Sequence, residues 1–162
     1  MKVLVIGGVA AGTKAAAKIK RQDRGAEVKI LTKGADISYA GCGLPYYVGG
    51  MIPSREALIV NTPEKYEGLT GAQVVTGCEV TGVDFAAKAV TAVRDGHTFS
   101  EGYDKLIIAT GMRRGECCGL QWGDINWHER SIHIQRNVVK VTGEDIIVKE
   151  TKTLAGDRYV YF

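Results

Sequence analysis

The 162-residue chain is 45% hydrophobic and 24% charged, the balance of a globular protein rather than a disordered one. Its formal net charge of +3 excludes the strongly basic surface that signals nucleic-acid binding by charge alone. Divided at Gly111, the front carries 13 Lys+Arg against 11 Asp+Glu and the back 8 against 7, so neither part is markedly basic.

No apolar run reaches the roughly 18 residues of a membrane span. The opening Met1-Lys2-Val3-Leu4-Val5-Ile6 is too short for a secretory core and runs straight into glycines. A cytoplasmic location without a membrane partner is expected. Cys42, Cys78, Cys117 and Cys118 are spaced neither as a disulfide framework nor as a metal site, so free thiols and no bound metal are expected.

Lys2 to Ile6 reads as a buried parallel strand. Gly7-Gly8-Val9-Ala10-Ala11-Gly12 follows, and then a small-residue helix from Thr13 to Arg21. This is the strand, glycine turn and helix of a dinucleotide site. Gly7 permits the tight turn, Gly12 permits close packing of helix on strand, and the helix start offers N–H groups to a pyrophosphate. Val9 stands where the usual pattern has its second glycine. A glycine turn in some other α/β protein is the alternative.

Glu27 to Thr32 reads as the second strand. Rossmann units usually carry an acid near its end to hold a ribose. Thr32 and Lys33 stand there instead, and Asp36 comes four residues late.

Ile37-Ser38-Tyr39-Ala40-Gly41-Cys42-Gly43-Leu44-Pro45-Tyr46-Tyr47 is the sharpest signal in the chain. A cysteine between glycines near a helix start is open to attack and placed where a thiolate is favoured. No second cysteine lies within five residues, so Cys42 is not half of a local dithiol.

With these motifs, residues 1–111 resemble the N-terminal part of the flavin-dependent pyridine nucleotide–disulfide oxidoreductases. They resemble most the single-cysteine branch of coenzyme A disulfide reductases, NADH oxidases and NADH peroxidases. The resemblance implies FAD as cofactor, NADH or NADPH as its reductant, and coenzyme A disulfide, another small disulfide, oxygen or peroxide as substrate. It implies a redox role for Cys42. It implies flavin-nucleotide contacts at Gly7, Gly8, Val9, Ala10, Ala11, Gly12, Thr32, Lys33, Val80, Ala109, Thr110 and Gly111.

Ser54 and Thr62 suit helix N-caps, and Pro63 suits a first helical position. The resemblance places the Asn61 to Lys65 segment beside the active site. From Ala72 the period becomes two. Gln73 to Thr76, Glu79 to Asp84, Ala89 to Arg94 and His97 to Ser100 read as short strands of a meander turning at Asp95-Gly96. Cys78 suits the core and His97 the surface. Tyr103 to Gly111 reads as a strand returning to the first sheet.

The pattern changes after Thr110-Gly111. Thr110-Gly111-Met112-Arg113-Arg114-Gly115-Glu116 and Leu120-Gln121-Trp122-Gly123-Asp124-Ile125 resemble the opening of the tyrosine recombinase (phage integrase) catalytic domain. That resemblance implies a phosphate-gripping role for Arg113, a structural role for Glu116, and a general-acid role for Lys152 on a hairpin. It makes DNA the alternative partner. Tyr159 and Tyr161 are expected as packing residues on a strand. The expected fold is therefore α/β: a partial Rossmann-like FAD-binding unit with a β-meander over residues 1–111, followed by a small α+β recombinase fragment over 112–162. The NADH domain, the later flavin segment and the recombinase tyrosine are expected to be missing, so full turnover is not expected. A chimeric product without selected function is the remaining reading, and the oligomeric state is left open.

Overall fold

The computed structural model describes residues 1–109, 111–112, 114–129, 131–140, 146–150 and 156–161. The chain divides into two compact units, Met1–Ala109 and Thr110–Phe162.

In the first unit, β1 (Lys2–Ile6), β2 (Glu27–Leu31), β3 (Gln73–Val75) and β7 (Lys105–Ile108) form a parallel sheet in the order β3-β2-β1-β7. The run in β1 is apolar throughout because both faces are covered. Val3 and Val5 point into a core with Ala16, Val28, Ile30, Ile37 and Tyr66, under helices α1 (Ala10–Gln22) and α3 (Pro63–Thr70). Leu4 and Leu31 point the other way, into a core with Cys78, Val90 and Ala92. Fully burying such a side chain contributes about 1.5–3 kcal/mol.

The second core is capped by an antiparallel meander of β4 (Cys78–Asp84), β5 (Ala89–Arg94) and β6 (His97–Gly102). Asp95 and Gly96 both lie at positive φ, +50° and +77°, as a two-residue type I′ hairpin requires. Glu101 on β6 accepts from Lys2 at 2.5 Å and Lys29 at 2.9 Å, which ties the meander to β1 and β2. Burial works to raise the Glu101 pKa, and the two lysine hydrogen bonds outweigh it and hold the carboxyl below its ordinary value.

Several expectations change. Helix α1 starts at Ala10 rather than Thr13, so part of the glycine motif is itself helical. Gln73–Val75 is not part of the meander. It pairs in parallel with β2, because its short alternation serves an open α/β sheet as well as an antiparallel one. Ser54 caps no α-helix; Glu56–Leu58 is a single 3-10 turn without a side-chain cap. Thr62 does cap α3, its hydroxyl accepting from the Lys65 N–H at 3.3 Å, with Pro63 in the first turn.

The second unit holds α4 (Arg114–Cys118), β8 (Ile125–Asn126), β9 (Ser131–Ile134), β10 (Arg136–Lys140), β11 (Ile146–Glu150) and β12 (Arg158–Tyr161). Its strands form a sheet of order β12-β9-β8 and a separate β10–β11 hairpin. Buried Glu116 accepts both Arg158 NH groups, at 3.1 and 2.9 Å. Buried Asp124 accepts from Arg136, from Gln135 at 2.7 Å and from the Gln121 N–H at 2.7 Å. Tyr159 is 54% exposed rather than packed inside; its ring stacks on His133 with centroids 4.5 Å apart.

Candidate functional site

The first unit builds its site where β1 ends. Gly7 leaves the strand at φ +104°, and its N–H donates to the Leu31 carbonyl at 2.8 Å. Three glycines close a cradle that side chains would fill. A Cβ on Gly7 would lie 2.8 Å from the Ala109 carbonyl oxygen, one on Gly8 2.9 Å from Thr32, and one on Gly12 1.8 Å from the Gly7 carbonyl oxygen. Val9 stands just before α1 and gives it no side-chain cap, and Val9, Ala10 and Ala11 are exposed. The first-turn N–H groups of a 13-residue helix, with its positive dipole end, therefore lie at a surface of small and apolar residues that carries no charged side chain at Val9, Ala10 or Ala11. That arrangement fits a pyrophosphate. Val9 stands at φ −91°, so the backbone at that position does not itself require glycine, and its side chain is 37% exposed.

Two contacts stiffen this loop from behind. The Thr13 hydroxyl donates to the Val9 carbonyl at 2.6 Å, and the buried Tyr66 hydroxyl donates to the Thr13 carbonyl at 2.5 Å. Ala109 follows β7, and its N–H donates to the Ile6 carbonyl at 2.8 Å, which brings it beside Gly7.

The segment leading to Cys42 hangs from the same loop. The Ser38 N–H donates to the Gly8 carbonyl at 3.2 Å, and buried Ile37 packs toward Gly8. Ser38 sits at φ +51°, an uncommon conformation for a residue with a side chain. It is held there by the Val60 N–H on its carbonyl at 3.1 Å and by the Asn61 amide on its hydroxyl at 3.4 Å. Cys42 follows in a 3-10 turn, Gly41–Gly43, directly before α2 (Leu44–Val48). Its thiol is exposed and in no disulfide. Leu44, Tyr46, Tyr47, Val48 and Met51 are exposed beyond it, an apolar skirt rather than a charged one. Ser38 and Asn61 were not singled out as site residues by sequence reasoning. The Asn61 segment carried a signal through the resemblance, and Ser38 carried none.

At the end of β2, Thr32 is buried and faces Gly8. Lys33 is exposed and bonds Glu79 at 2.9 Å. Asp36 does not approach the loop as a ribose acid; it pairs with Arg55. That pair, with Tyr39, Leu44 and Tyr47, lines a cavity of about 420 Å³. Val80 lies on edge strand β4, where the register with β5 shifts between Val80 and Gly82. Such a bulge leaves backbone groups unpaired by the ladder. A separate cavity of about 460 Å³ is lined by Lys20, Arg21, Arg24 and Thr70.

Gly111 adopts φ +75°. Thr110, Arg113 and Lys152 lie outside the described residues. Among the described residues no group of three or more His, Cys, Asp or Glu could hold a metal ion. No helix among them is long and apolar enough to cross a membrane.

The family profile described as pyridine nucleotide-disulphide oxidoreductase matches residues 1–148. The chain belongs to that family. The matched stretch runs past Gly111 and so past the start of the second unit. A coenzyme A disulfide reductase of Staphylococcus epidermidis is 29% identical over 153 residues, covering 93% of this chain and 33% of the relative. An NADH oxidase of Methanocaldococcus jannaschii is 34% identical over 112 residues, covering 68% of this chain and 25% of the relative. The crystal structure of reduced Bacillus anthracis CoADR-RHD superposes with a TM-score of 0.64 at 36% identity, covering 66% of this chain and 20% of that one. The chain thus spans about a third or less of the length of these family members.

Proposed function

We propose that residues 1–109 form the FAD-binding part of a coenzyme A disulfide reductase or NADH oxidase-like protein, with Cys42 as its redox-active thiol. One observation carries the reading: the Cys42 segment is hydrogen-bonded, through Ser38, to the carbonyl of Gly8 within a cradle shaped for a pyrophosphate. Gly7, Gly8 and Gly12 give the phosphates close approach, and the first N–H groups of α1 bind them. Val80 and Ala109 border the nucleotide on either side. When bound, flavin supplies two-electron redox chemistry, with NADH or NADPH as the reductant. The Cys42 thiolate attacks one sulfur of a disulfide, forms a mixed disulfide with it and releases the other half as a thiolate.

The basic cavity supports coenzyme A disulfide over uncharged disulfides. Arg21 and Arg24 supply cations suited to its phosphate groups, while the Lys20 ammonium already donates to the Arg24 and Ala26 carbonyls. The similarity to the Staphylococcus epidermidis coenzyme A disulfide reductase points the same way. The decisive test is to purify the chain, refold it with excess FAD and record the visible spectrum. A bound yellow flavin is expected. A protein that gains no flavin absorbance overturns the reading.

A second reading belongs to the unit Thr110–Phe162. We infer from its Thr-Gly-Met-Arg and Leu-x-Trp-x-Asp-Ile motifs that it is a tyrosine recombinase-like fragment. Support comes from Glu116, the acid to which that resemblance gives a structural role, which is buried and held bidentately by Arg158. The reading expects a salt-sensitive DNA gel shift that weakens in Arg113→Ala. An unchanged shift removes Arg113 from phosphate binding.

A further inference from the structure

We propose that Glu79 supplies the carboxylate that accepts the hydroxyls of the adenosine ribose, held in position by Lys33. The assignment deepens the flavin-nucleotide reading and rests on it. A Rossmann unit usually places an acid near the end of its second strand, because a carboxylate accepts hydrogen bonds from ribose hydroxyls more strongly than a neutral group does. Here the residue that follows β2 is Thr32, which carries no charge and is buried against Gly8. The acid that is close in sequence, Asp36, is engaged by Arg55.

The structure brings a different acid to that place. The Cys78 N–H donates to the Thr32 carbonyl at 3.0 Å, and the Gly77 N–H donates to the Gly34 carbonyl at 3.5 Å. These bonds lay the start of β4 beside the end of β2. Strand alternation then sorts the side chains. Cys78 and Val80 turn into the second core, and Glu79 turns outward. The Lys33 ammonium bonds Glu79 Oε1 at 2.9 Å, so the carboxylate is held at the end of β2 although it lies 46 residues away in sequence. Both side chains are well exposed, and an exposed ion pair contributes little to folding. Ligand binding is therefore where loss of Glu79 should register.

The test uses the full chain and two probes, ADP and 2′,3′-dideoxy-ADP, titrated by calorimetry. Wild type is expected to prefer ADP by about tenfold or more, the size of hydrogen bonds to a charged group. Glu79→Gln is expected to melt as wild type does and to bind both probes with the weaker affinity. Equal binding of the two probes by wild type, or a preference that survives in Glu79→Gln, overturns the assignment while leaving flavin binding standing. A wild-type chain that binds neither ADP nor FAD overturns the flavin-nucleotide reading itself, and this assignment with it.

Discussion

The carbonyl oxygen of Gly7 occupies the space that a side chain on Gly12 would need, 1.8 Å from the ideal Cβ position. The end of β1 and the first turn of α1 therefore touch backbone to backbone. Gly12→Ala should push the helix off the strand and open the cradle, at a cost of at least about 1–3 kcal/mol. The expected result is a lower melting temperature together with at least a tenfold loss of ADP affinity (about 1.4 kcal/mol). A variant that melts and binds as wild type would show that the two backbones are not in contact.

Gly68 gives the opposite expectation. It is exposed inside α3, at ordinary φ, and a Cβ there meets nothing within 4 Å. Gly68→Ala should stabilise the chain by about 0.5–1 kcal/mol, because alanine loses less conformational freedom on entering a helix. Denaturant unfolding measures this directly, and a lowered midpoint would contradict it.

Thiol reactivity should divide the cysteines by burial. Cys42, Cys117 and Cys118 are exposed, whereas Cys78 is 1% exposed, and burial pushes its thiol up. Iodoacetamide should modify the three exposed residues in the native chain and reach Cys78 only after unfolding. Peptide mass mapping reads the sites, and early labelling of Cys78 would place it outside the core. Cys42→Ser should remove the mixed disulfide with coenzyme A at position 42 while leaving the iodoacetamide labelling of Cys117 and Cys118 as in wild type.

Asp124 should govern the acid stability of the second unit. Burial alone would raise its pKa. Hydrogen bonds from Arg136, the Gln121 N–H and Gln135 outweigh burial and hold it below the ordinary aspartate value. The folded pKa thus lies below the unfolded one. The ionised group contributes its stability above about pH 4, the unfolded range, and loses it as pH falls through the folded value. Asp124→Asn should cost about 1–3 kcal/mol at neutral pH, since it leaves Arg136 partly unpaired. It should also flatten the acid limb of the unfolding profile. An acid limb as steep as that of wild type would assign acid unfolding to other carboxylates.

Local chemistry was legible wherever the chain uses neighbours in sequence. The apolar run of β1, the glycine turn and the small-residue helix are contiguous, and so is the glycine-flanked Cys42. The type I′ requirement of Asp95-Gly96 is a property of two residues alone. The Thr62–Pro63 cap was readable for the same reason.

Partners that meet only through folding were not legible. Gln73–Val75 has a short alternating pattern that an antiparallel meander and a parallel sheet both accept, and its pairing with Lys29–Leu31 decides between them. Tyr159 was read as a packing residue, yet its strand leaves it exposed with one face on His133.

The sequence by itself determined the residues that shape the glycine cradle at the end of β1 and the glycine-flanked thiol that follows in the chain. Those depend on the absence of a Cβ, on φ preference and on hydrophobic period, all local properties. Only the tertiary structure decided which acid stands at the end of β2. Hydrogen bonds from Gly77 and Cys78 to Gly34 and Thr32 carry Glu79 to Lys33 across 46 residues, and no local propensity records a contact made by two strands crossing.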